Sequence, residues 1–306
     1  MKKKPLILSL ITIGFIATVS FLFSVALKSN AAEQDLFELS GSTLVRYTGD
    51  NTLVTVPAKV TVIGESAFEG NKTMKKVIIP STVKEISYNA FSECDALLEV
   101  DIPDSVEIIE IGAFYNCKAM TNAIIENGVE IIGEMAFANC ISLTDIIIPA
   151  SVIQIDNGAF SDCTALTDVT IEEGVERIGQ KAFLGCKSLT HITIPASATR
   201  VRANTFSGCT ALTNITLSKE TRITADAIEG CNNIKEVRYS DETLTLDDFK
   251  AKIPAKLNIY KVVEQQPEFP GGTKPLMEYL KNSIKYPRER CTVAWSGVPI
   301  SPWSTM

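Results

Sequence analysis

The fold is decided by one stretch, Ile79-Pro80-Ser81-Thr82-Val83-Lys84-Glu85-Ile86-Ser87-Tyr88-Asn89-Ala90-Phe91-Ser92-Glu93-Cys94-Asp95-Ala96-Leu97, because Ile102-Pro103 begins the same pattern again 23 residues later. Phenylalanine recurs at this step, at Phe68, Phe91, Phe114, Phe137, Phe160, Phe183 and Phe206. A cysteine follows six of them by three residues, at Cys94, Cys117, Cys140, Cys163, Cys186 and Cys209, and a shortened unit then places Ile228 and Cys231 in the two positions. A short fixed period of this kind is typical of a solenoid.

Other apolar residues keep fixed places in each repeat and predict its core. A short strand such as Val77-Ile78-Ile79 ends at a proline, which has no N–H to donate to a sheet ladder. Valine, isoleucine, the Ala-Phe pair, cysteine and leucine then follow as inward positions. One repeat cannot bury them alone, but stacking removes them from water. We therefore predict about eight stacked turns with short parallel strands and little helix, in which Glu126, Glu172 and Ser218 replace the proline.

The cysteines are predicted to be buried free thiols. Seven of the eight share one repeat position, where stacking places equivalent atoms about 4.8 Å apart. Cβ atoms across a disulfide lie nearer, at about 3.8 Å, and parallel side chains do not point toward each other. We interpret the column as small apolar fillers. Asn71 takes the position in the first repeat, and Cys291, outside the repeat, has no predicted role.

The first 32 residues carry an export pattern with two interpretations. Three lysines, Lys2 to Lys4, precede an apolar run over residues 6–27, and small residues follow at Ser29 and Ala31. A signal peptide cut near Ala31 fits this pattern. The run is also long enough to cross a bilayer, so a signal anchor with the lysines inside is the alternative. Both interpretations predict that the rest of the chain is exported.

The ends of the repeat predict caps. Residues 33–50 precede it as an N-terminal cap, and the solenoid occupies 51–240. Residues 241–261 form a C-terminal cap, with a short helix over 244–250 opened by an acidic residue and a last strand over 257–260. Ala198 and Thr221 weaken the valine position, so the last turns are expected to be looser.

The repeat resembles a known family. The string Ile-Pro-x-x-Val-x-x-Ile-Gly-x-x-Ala-Phe-x-x-Cys-x-x-Leu, carried by residues 50–240, is similar to the BspA-like leucine-rich repeats of bacterial surface proteins. This resemblance implies a right-handed solenoid with a parallel sheet, on exported proteins linked to adhesion and to the binding of host or microbial partners. The usual glycine is replaced at Ser87, Glu110, Asp156 and Arg202.

A second, shorter resemblance follows the repeat. Residues 262–290 contain Pro267-Glu268-Phe269-Pro270-Gly271-Gly272, an apolar helical stretch and Tyr286-Pro287, and resemble the opening of a TonB carboxy-terminal domain. In that family the following strands contact outer-membrane receptors. Here residues 291–306 are instead a Pro- and Ser-containing stretch that we predict to be a disordered tail. The domain is therefore interpreted as incomplete, the product of a truncated or altered reading frame.

Composition excludes several function classes. The chain has 36 acidic and 29 basic residues, which disfavours nucleic acid as a partner. With one histidine, His191, no Ser-His-acid set or His-rich metal site can be assembled. Gly271-Gly272-Thr273-Lys274 lacks the spacing of a phosphate-binding loop. We predict no catalytic residues, no cofactor and no metal site.

The outward face of the parallel strands is the predicted binding surface. Side chains alternate along a strand, so if Val100 and Ile102 point inward, Glu99 and Asp101 point outward. The same step gives the candidate residues Lys76, Ile78, Glu99, Asp101, Asn122, Ile124, Asp145, Ile147, Asp168, Thr170, His191 and Thr193, and continues to Asn214, Thr216, Glu236 and Arg238. Ile124 and Ile147 would lie side by side among carboxylates, as a protein-binding patch does. Two alternatives remain: β-branched residues simply suit a sheet, and the carboxylates could hold calcium.

The sequence therefore predicts an exported, non-catalytic repeat protein of the bacterial cell envelope. It would bind a protein or glycan, and would meet a membrane only through an uncleaved N-terminal segment. The alternative is a membrane-anchored TonB-like transducer with the repeat as spacer. The sequence names neither the ligand nor the oligomeric state.

Overall fold

The computed structural model describes residues 35–254, which form a β-solenoid of about nine stacked turns. Every turn contributes strands that pair in parallel with those of the turns before and after it. Outside the strands, the described residues contain one short α-helix and one 3-10 turn, Ala225–Ile228. The predicted fold, a parallel-strand solenoid with little helix, is confirmed, with about one turn more than the eight expected.

One side of the solenoid, which we call the strand face, consists of the strands that end near the proline position. They are β3 (Leu53–Thr55), β5 (Lys76–Ile78), β7 (Glu99–Ile102), β9 (Asn122–Ile125), β11 (Asp145–Ile148), β13 (Asp168–Ile171), β15 (His191–Thr193), β17 (Asn214–Leu217) and β18 (Glu236–Tyr239). Within residues 35–254 its ladder is interrupted twice, between β9 and β11 and between β13 and β15. The face is therefore three short sheets in series.

A second sheet, the short-strand face, was not predicted. It contains two-residue strands: β4 (Val62–Ile63), β6 (Glu85–Ile86), β8 (Ile108–Ile109), β10 (Ile131–Ile132), β12 (Gln154–Ile155), β14 (Arg177–Ile178) and β16 (Arg200–Val201). With β1 (Phe37–Ser40) and β2 (Thr43–Tyr47) they form one continuous nine-stranded sheet. A strand of two residues is too short for the alternation of side chains to identify it in a sequence.

The phenylalanines form a single column through the core. Each is 2% exposed or less, and neighbouring rings from Phe68 to Phe206 lie 4.7–5.6 Å apart with interplanar angles of 1–10°. The backbone supports the stacking, because the N–H of Phe91 donates to the carbonyl of Ala113 in the next turn at 2.7 Å. A small residue precedes each ring and leaves room for the ring of the adjacent turn: alanine in six turns, and Thr205 before Phe206.

The cysteines line a second buried column and hydrogen-bond across turns. Cys94, Cys117, Cys140, Cys163, Cys186, Cys209 and Cys231 are free thiols in the described part of the chain. Each Sγ donates to the carbonyl of a phenylalanine in the preceding turn at 3.0–3.3 Å. Asn71 takes this place in the first repeat and donates to the carbonyl of Gly49 at 3.1 Å. The position thus selects a small donor as well as a small volume.

A β-hairpin covers the N-terminal end of the stack. Strands β1 and β2 pair antiparallel, and β2 then pairs in parallel with β4. The hairpin extends the aromatic column, since the ring of Tyr47 lies 5.2 Å from Phe68 and 5.0 Å from Phe37. Leu44 is fully buried beside them.

The C-terminal end is covered by β19 (Glu242–Leu244) and α1 (Leu246–Lys252). The helix is opened by Thr245, whose side chain accepts from the N–H of Asp248, so the expected acidic cap is wrong: the carboxylates lie in the first turn instead. Phe249 is fully buried and its ring lies 5.6 Å from Tyr239.

In the two turns where the valine of the repeat is replaced, the replacing residues Ala198 and Thr221 are both buried.

Turns that replace the proline with glutamate bring their backbone unusually close to the preceding turn. In one of them Glu172 accepts from the N–H of Ala150 at 2.9 Å, and Gly174 donates to Oγ of Ser197 at 3.0 Å. A Cβ on Gly174 would lie 2.0 Å from the carbonyl oxygen of Ala150, and the φ of Gly174 is +138°. Gly128 repeats the close approach in another such turn. In both turns the close approach requires a residue without a Cβ.

We expect Gly174→Ala to lower the free energy of unfolding by about 2–5 kcal/mol, because it combines backbone strain with a clash. Two matched variants separate the causes. Gly70→Ala has φ +72° and open space, so only strain of about 1–2 kcal/mol applies. Gly128→Ala lacks a positive φ but places Cβ 1.8 Å from a carbonyl oxygen, which costs about 1–3 kcal/mol. Urea denaturation measures all three, and equal losses in Gly174→Ala and Gly70→Ala would contradict the close approach.

Several sequence predictions lie outside the described residues. These are the signal peptide or anchor at 1–32, the strand at 257–260, the TonB-like segment at 262–290, the tail at 291–306 and the unexplained Cys291. The ends of both predicted caps fall there as well.

Candidate binding surface

The structure brings the predicted binding residues together on the strand face. Lys76, Glu99 and Asn122 are partly exposed, and the other nine are exposed: Ile78, Asp101, Ile124, Asp145, Ile147, Asp168, Thr170, His191 and Thr193. The alternation is seen most clearly in β11, where Asp145 and Ile147 are exposed and Ile146 and Ile148 are buried. The inward valines and isoleucines anchor the strands, and the outward residues form two parallel columns. The first column consists of Lys76, Glu99, Asn122, Asp145, Asp168 and His191. The second consists of Ile78, Asp101, Ile124, Ile147, Thr170 and Thr193.

The first column carries most of the charge. Nζ of Lys76 lies 2.7 Å from the carboxylate of Glu99 in the next strand and 3.7 Å from that of Asp101, and the hydrogen bond to Glu99 raises the pKa of Lys76. Further along, Asp145 and Asp168 are register partners, so two carboxylates are adjacent. This part of the face therefore carries net negative charge.

His191 lies at the edge of that acidic stretch. Its Nε2 is 3.6 Å from the carboxylate of Asp168, and its Nδ1 is 3.1 Å from the hydroxyl of Thr190. The side chain is more than half exposed. It therefore belongs to the solvated surface, between the carboxylate of Asp168 and the hydroxyl of Thr190.

The second column carries the exposed isoleucines. Ile78, Ile124 and Ile147 are 44%, 47% and 57% exposed. Asp101 is the register partner of both Ile78 and Ile124 and separates them. Ile124 and Ile147 stand on β9 and β11, on either side of the first interruption of the ladder. The apolar pair thus lies at an interruption of the sheet, with Asp101 on one side and Thr170 on the other.

Sequence reasoning missed the first strand of this face. Leu53 and Thr55 occupy its outward positions and pair in register with Lys76 and Ile78. Leu53 is 51% exposed. Continuing the 23-residue step back by one unit would have found both residues.

Within residues 35–254, no group of three His, Cys, Asp or Glu side chains could hold a metal ion. Nor does this part contain a helix with the length and apolar character needed to cross a membrane. Burial raises the pKa of the Cys186 thiol to about 12, so that thiol is not a nucleophile at neutral pH.

Solved structures similar to this chain are bacterial leucine-rich repeat proteins. One from Bacteroides ovatus is 24% identical with a TM-score of 0.50, over 64% of this chain and 58% of its own. One from Eubacterium ventriosum is 27% identical with a TM-score of 0.54, over 56% of this chain and 47% of its own. The chain therefore covers less than two thirds of either. No curated protein sequence matches it.

The family comparison covers the solenoid itself. A model of the BspA type leucine rich repeat region, which holds six copies, matches residues 45–164 and again residues 130–250. These two matches overlap and together span more than half of the 306 residues. They include the aromatic column, the thiol column and both faces. The chain belongs to the family of proteins with BspA type leucine-rich repeats.

Proposed function

We propose that this protein is an exported, non-catalytic scaffold that binds a protein or glycan at the bacterial cell envelope through its strand face. The observation that carries the proposal is the exposed pair Ile124 and Ile147, held on a rigid stack and bordered by Asp101, Asp145 and Asp168. Exposed apolar groups with a polar border are typical of protein interaction sites.

Export is supported by the lysine-rich start and the apolar run of the first 32 residues. A non-catalytic role is supported by the surface chemistry: apart from Lys76 and the solvated His191, the exposed groups of the strand face are isoleucines, threonines, amides and carboxylates. The family match ends at residue 250, so the TonB-like stretch gains no support from it.

The test is a pull-down from extracts of host and microbial surfaces with the protein and its Ile124→Asp/Ile147→Asp variant. Two added carboxylates should abolish capture through the apolar pair, because a partner surface that packs against isoleucine would have to desolvate a charge. The fold should be unaffected, since both side chains are exposed.

A matched control is Ile111→Asp/Ile141→Asp. These isoleucines are 45% and 43% exposed but lie outside the strands, so the variant makes the same change away from the strand face. We expect it to capture partners as well as the unmodified protein does. Unchanged capture by Ile124→Asp/Ile147→Asp, or equal loss in the control, would rule out the strand-face site.

A further inference from the structure

An unusual column of arginines occupies the C-terminal part of the short-strand face. Its outward position reads Val62, Glu85, Ile108, Ile131, Gln154, Arg177, Arg200 and Arg222 from turn to turn. Arg177 and Arg200 are register partners, and a parallel bridge pairs Arg200 with Arg222. We call Arg177, Arg200 and Arg222 the arginine ladder. Its members are spaced about one strand apart, roughly 4.8 Å.

The guanidinium groups of the ladder form no ion pair within the described part of the chain. All three side chains are exposed, and none has an ion pair or side-chain hydrogen bond with residues 35–254. Glu176 and Glu220 border the ladder but lie beyond the 4.0 Å of an ion pair. Like charges opposite each other in a sheet are destabilising, so the column costs the free protein stability. An anion bound along it would remove that repulsion.

The ladder lies in a groove open to solvent. Arg177, Arg200 and Arg222 line a depression of about 600 Å³ together with Thr199 and the two glutamates. Arg177 also lines a neighbouring cavity of about 170 Å³, which Arg202 lines as well. With Arg202, four of the eight arginines of an acidic chain meet in these adjoining grooves. Guanidinium groups bind carboxylate and sulfate in bidentate fashion, which lysines do not.

We propose that the arginine ladder binds an acidic polysaccharide, with its chain along the solenoid axis and its carboxylate or sulfate groups on successive arginines. A polymer with one charge on each sugar ring presents closely spaced charges along a narrow chain, as the arginines do along the groove. An extended acidic peptide is the competing occupant, and its side chains on one face recur at roughly 6.6 Å. This site is separate from the strand face and does not depend on the function proposed for it.

Other polyanions match the groove poorly. Among residues 35–254, no aromatic side chain lines either groove, so this part of the chain offers the bases of a single-stranded nucleic acid no stacking platform. An anionic membrane presents a broad surface, and the chain's formal net charge of −7 opposes its approach. A single narrow polymer can contact the ladder and avoid most of the acidic surface.

The test is isothermal titration of the purified protein with two octasaccharides, one derived from heparin and one from polygalacturonate. The heparin octasaccharide offers mainly sulfate groups and the polygalacturonate octasaccharide only carboxylate groups. The tighter binder of the two therefore shows which anionic group the arginines prefer. An uncharged dextran octasaccharide, a glutamate oligopeptide and an oligodeoxythymidylate are the comparison ligands. We expect at least one acidic octasaccharide to bind more tightly than all three, with an affinity that falls as salt rises.

The variant Arg200→Gln should weaken this binding by about tenfold, as expected for the loss of one charge-assisted contact. The triple variant Arg177→Gln/Arg200→Gln/Arg222→Gln should show no binding and lower the salt dependence. Arg46→Gln, an exposed arginine outside the grooves, is the matched control and should bind unchanged. No binding of either octasaccharide, tighter binding of the peptide or the oligonucleotide, or equal weakening by Arg46→Gln would overturn the proposal.

Discussion

Replacing Phe137 with alanine is expected to lower the free energy of unfolding by about 3–5 kcal/mol. The ring is fully buried at the centre of the aromatic column, 5.0 Å from that of Phe114 and 5.3 Å from that of Phe160. Its removal leaves a cavity that the stacked backbone cannot close, because Phe137 and Ala159 are joined by a 2.7 Å hydrogen bond. Both adjacent interfaces between turns lose a packed surface.

Urea denaturation gives the change in stability, and hydrogen exchange shows where it occurs. We expect the amides of the turns that contain Phe114, Phe137 and Phe160 to lose protection first, since each turn is stabilised mainly by its neighbours. Ile147→Ala is the control: the side chain is 57% exposed, so its change should stay within about 0.5 kcal/mol. A central loss no larger than that of Ile147→Ala would mean that the column is not the main source of stability.

The core could be predicted from the sequence because its signal is repeated. A single pair such as Phe91 and Cys94 does not identify a fold. Its recurrence at a constant step of 23 residues indicates columns of side chains inside stacked turns. The roles that depend on backbone position could not be found this way. The hydrogen bond from the thiol of Cys94 to the carbonyl of Phe68 is one example, because it depends on how far one turn is offset from the next. The close approach at Gly174 depends on the same offset.

The candidate surface was predictable to a similar extent. The alternation of side chains along a strand predicts that Ile124 and Ile147 point outward. It could be recognised because each of their strands, β9 and β11, has four residues, enough to show a period of two. The interruption of the ladder between them leaves no mark in the sequence. The arginine ladder, in contrast, is visible in the aligned repeats as Arg177 and Arg200 at the 23-residue step. It was missed because its strands have only two residues and their face was not recognised.

Raising the pH above about 8.5 is expected to destabilise the protein steeply, because four of the buried thiols resist ionisation. Burial raises the pKa of Cys94, Cys117, Cys163 and Cys186, in the last case to about 12. In the unfolded chain a thiol loses its proton near pH 8.5, so above that pH the native state holds more protons. Stability is therefore complete below the unfolded pKa and falls as pH rises toward the folded pKa. Once it is ionised in the unfolded chain, each thiol contributes about 1.4 kcal/mol per pH unit, and the four together about 5.6 kcal/mol per pH unit.

Denaturation in reducing buffer between about pH 8 and about pH 9.5 isolates this effect, since tyrosine and lysine ordinarily titrate at higher pH. Cys163→Ala removes one titrating group and should reduce the slope of stability against pH by about 0.8 kcal/mol per unit on average over this range, approaching about 1.4 kcal/mol per unit at its alkaline end. Cys163→Ala/Cys186→Ala should reduce it twice as much, although both variants also lose a thiol hydrogen bond at every pH. A double variant that kept the full slope would show that the loss in alkali arises elsewhere. A stepwise decrease would establish that the column which fills the core also limits the pH range in which the solenoid stays folded.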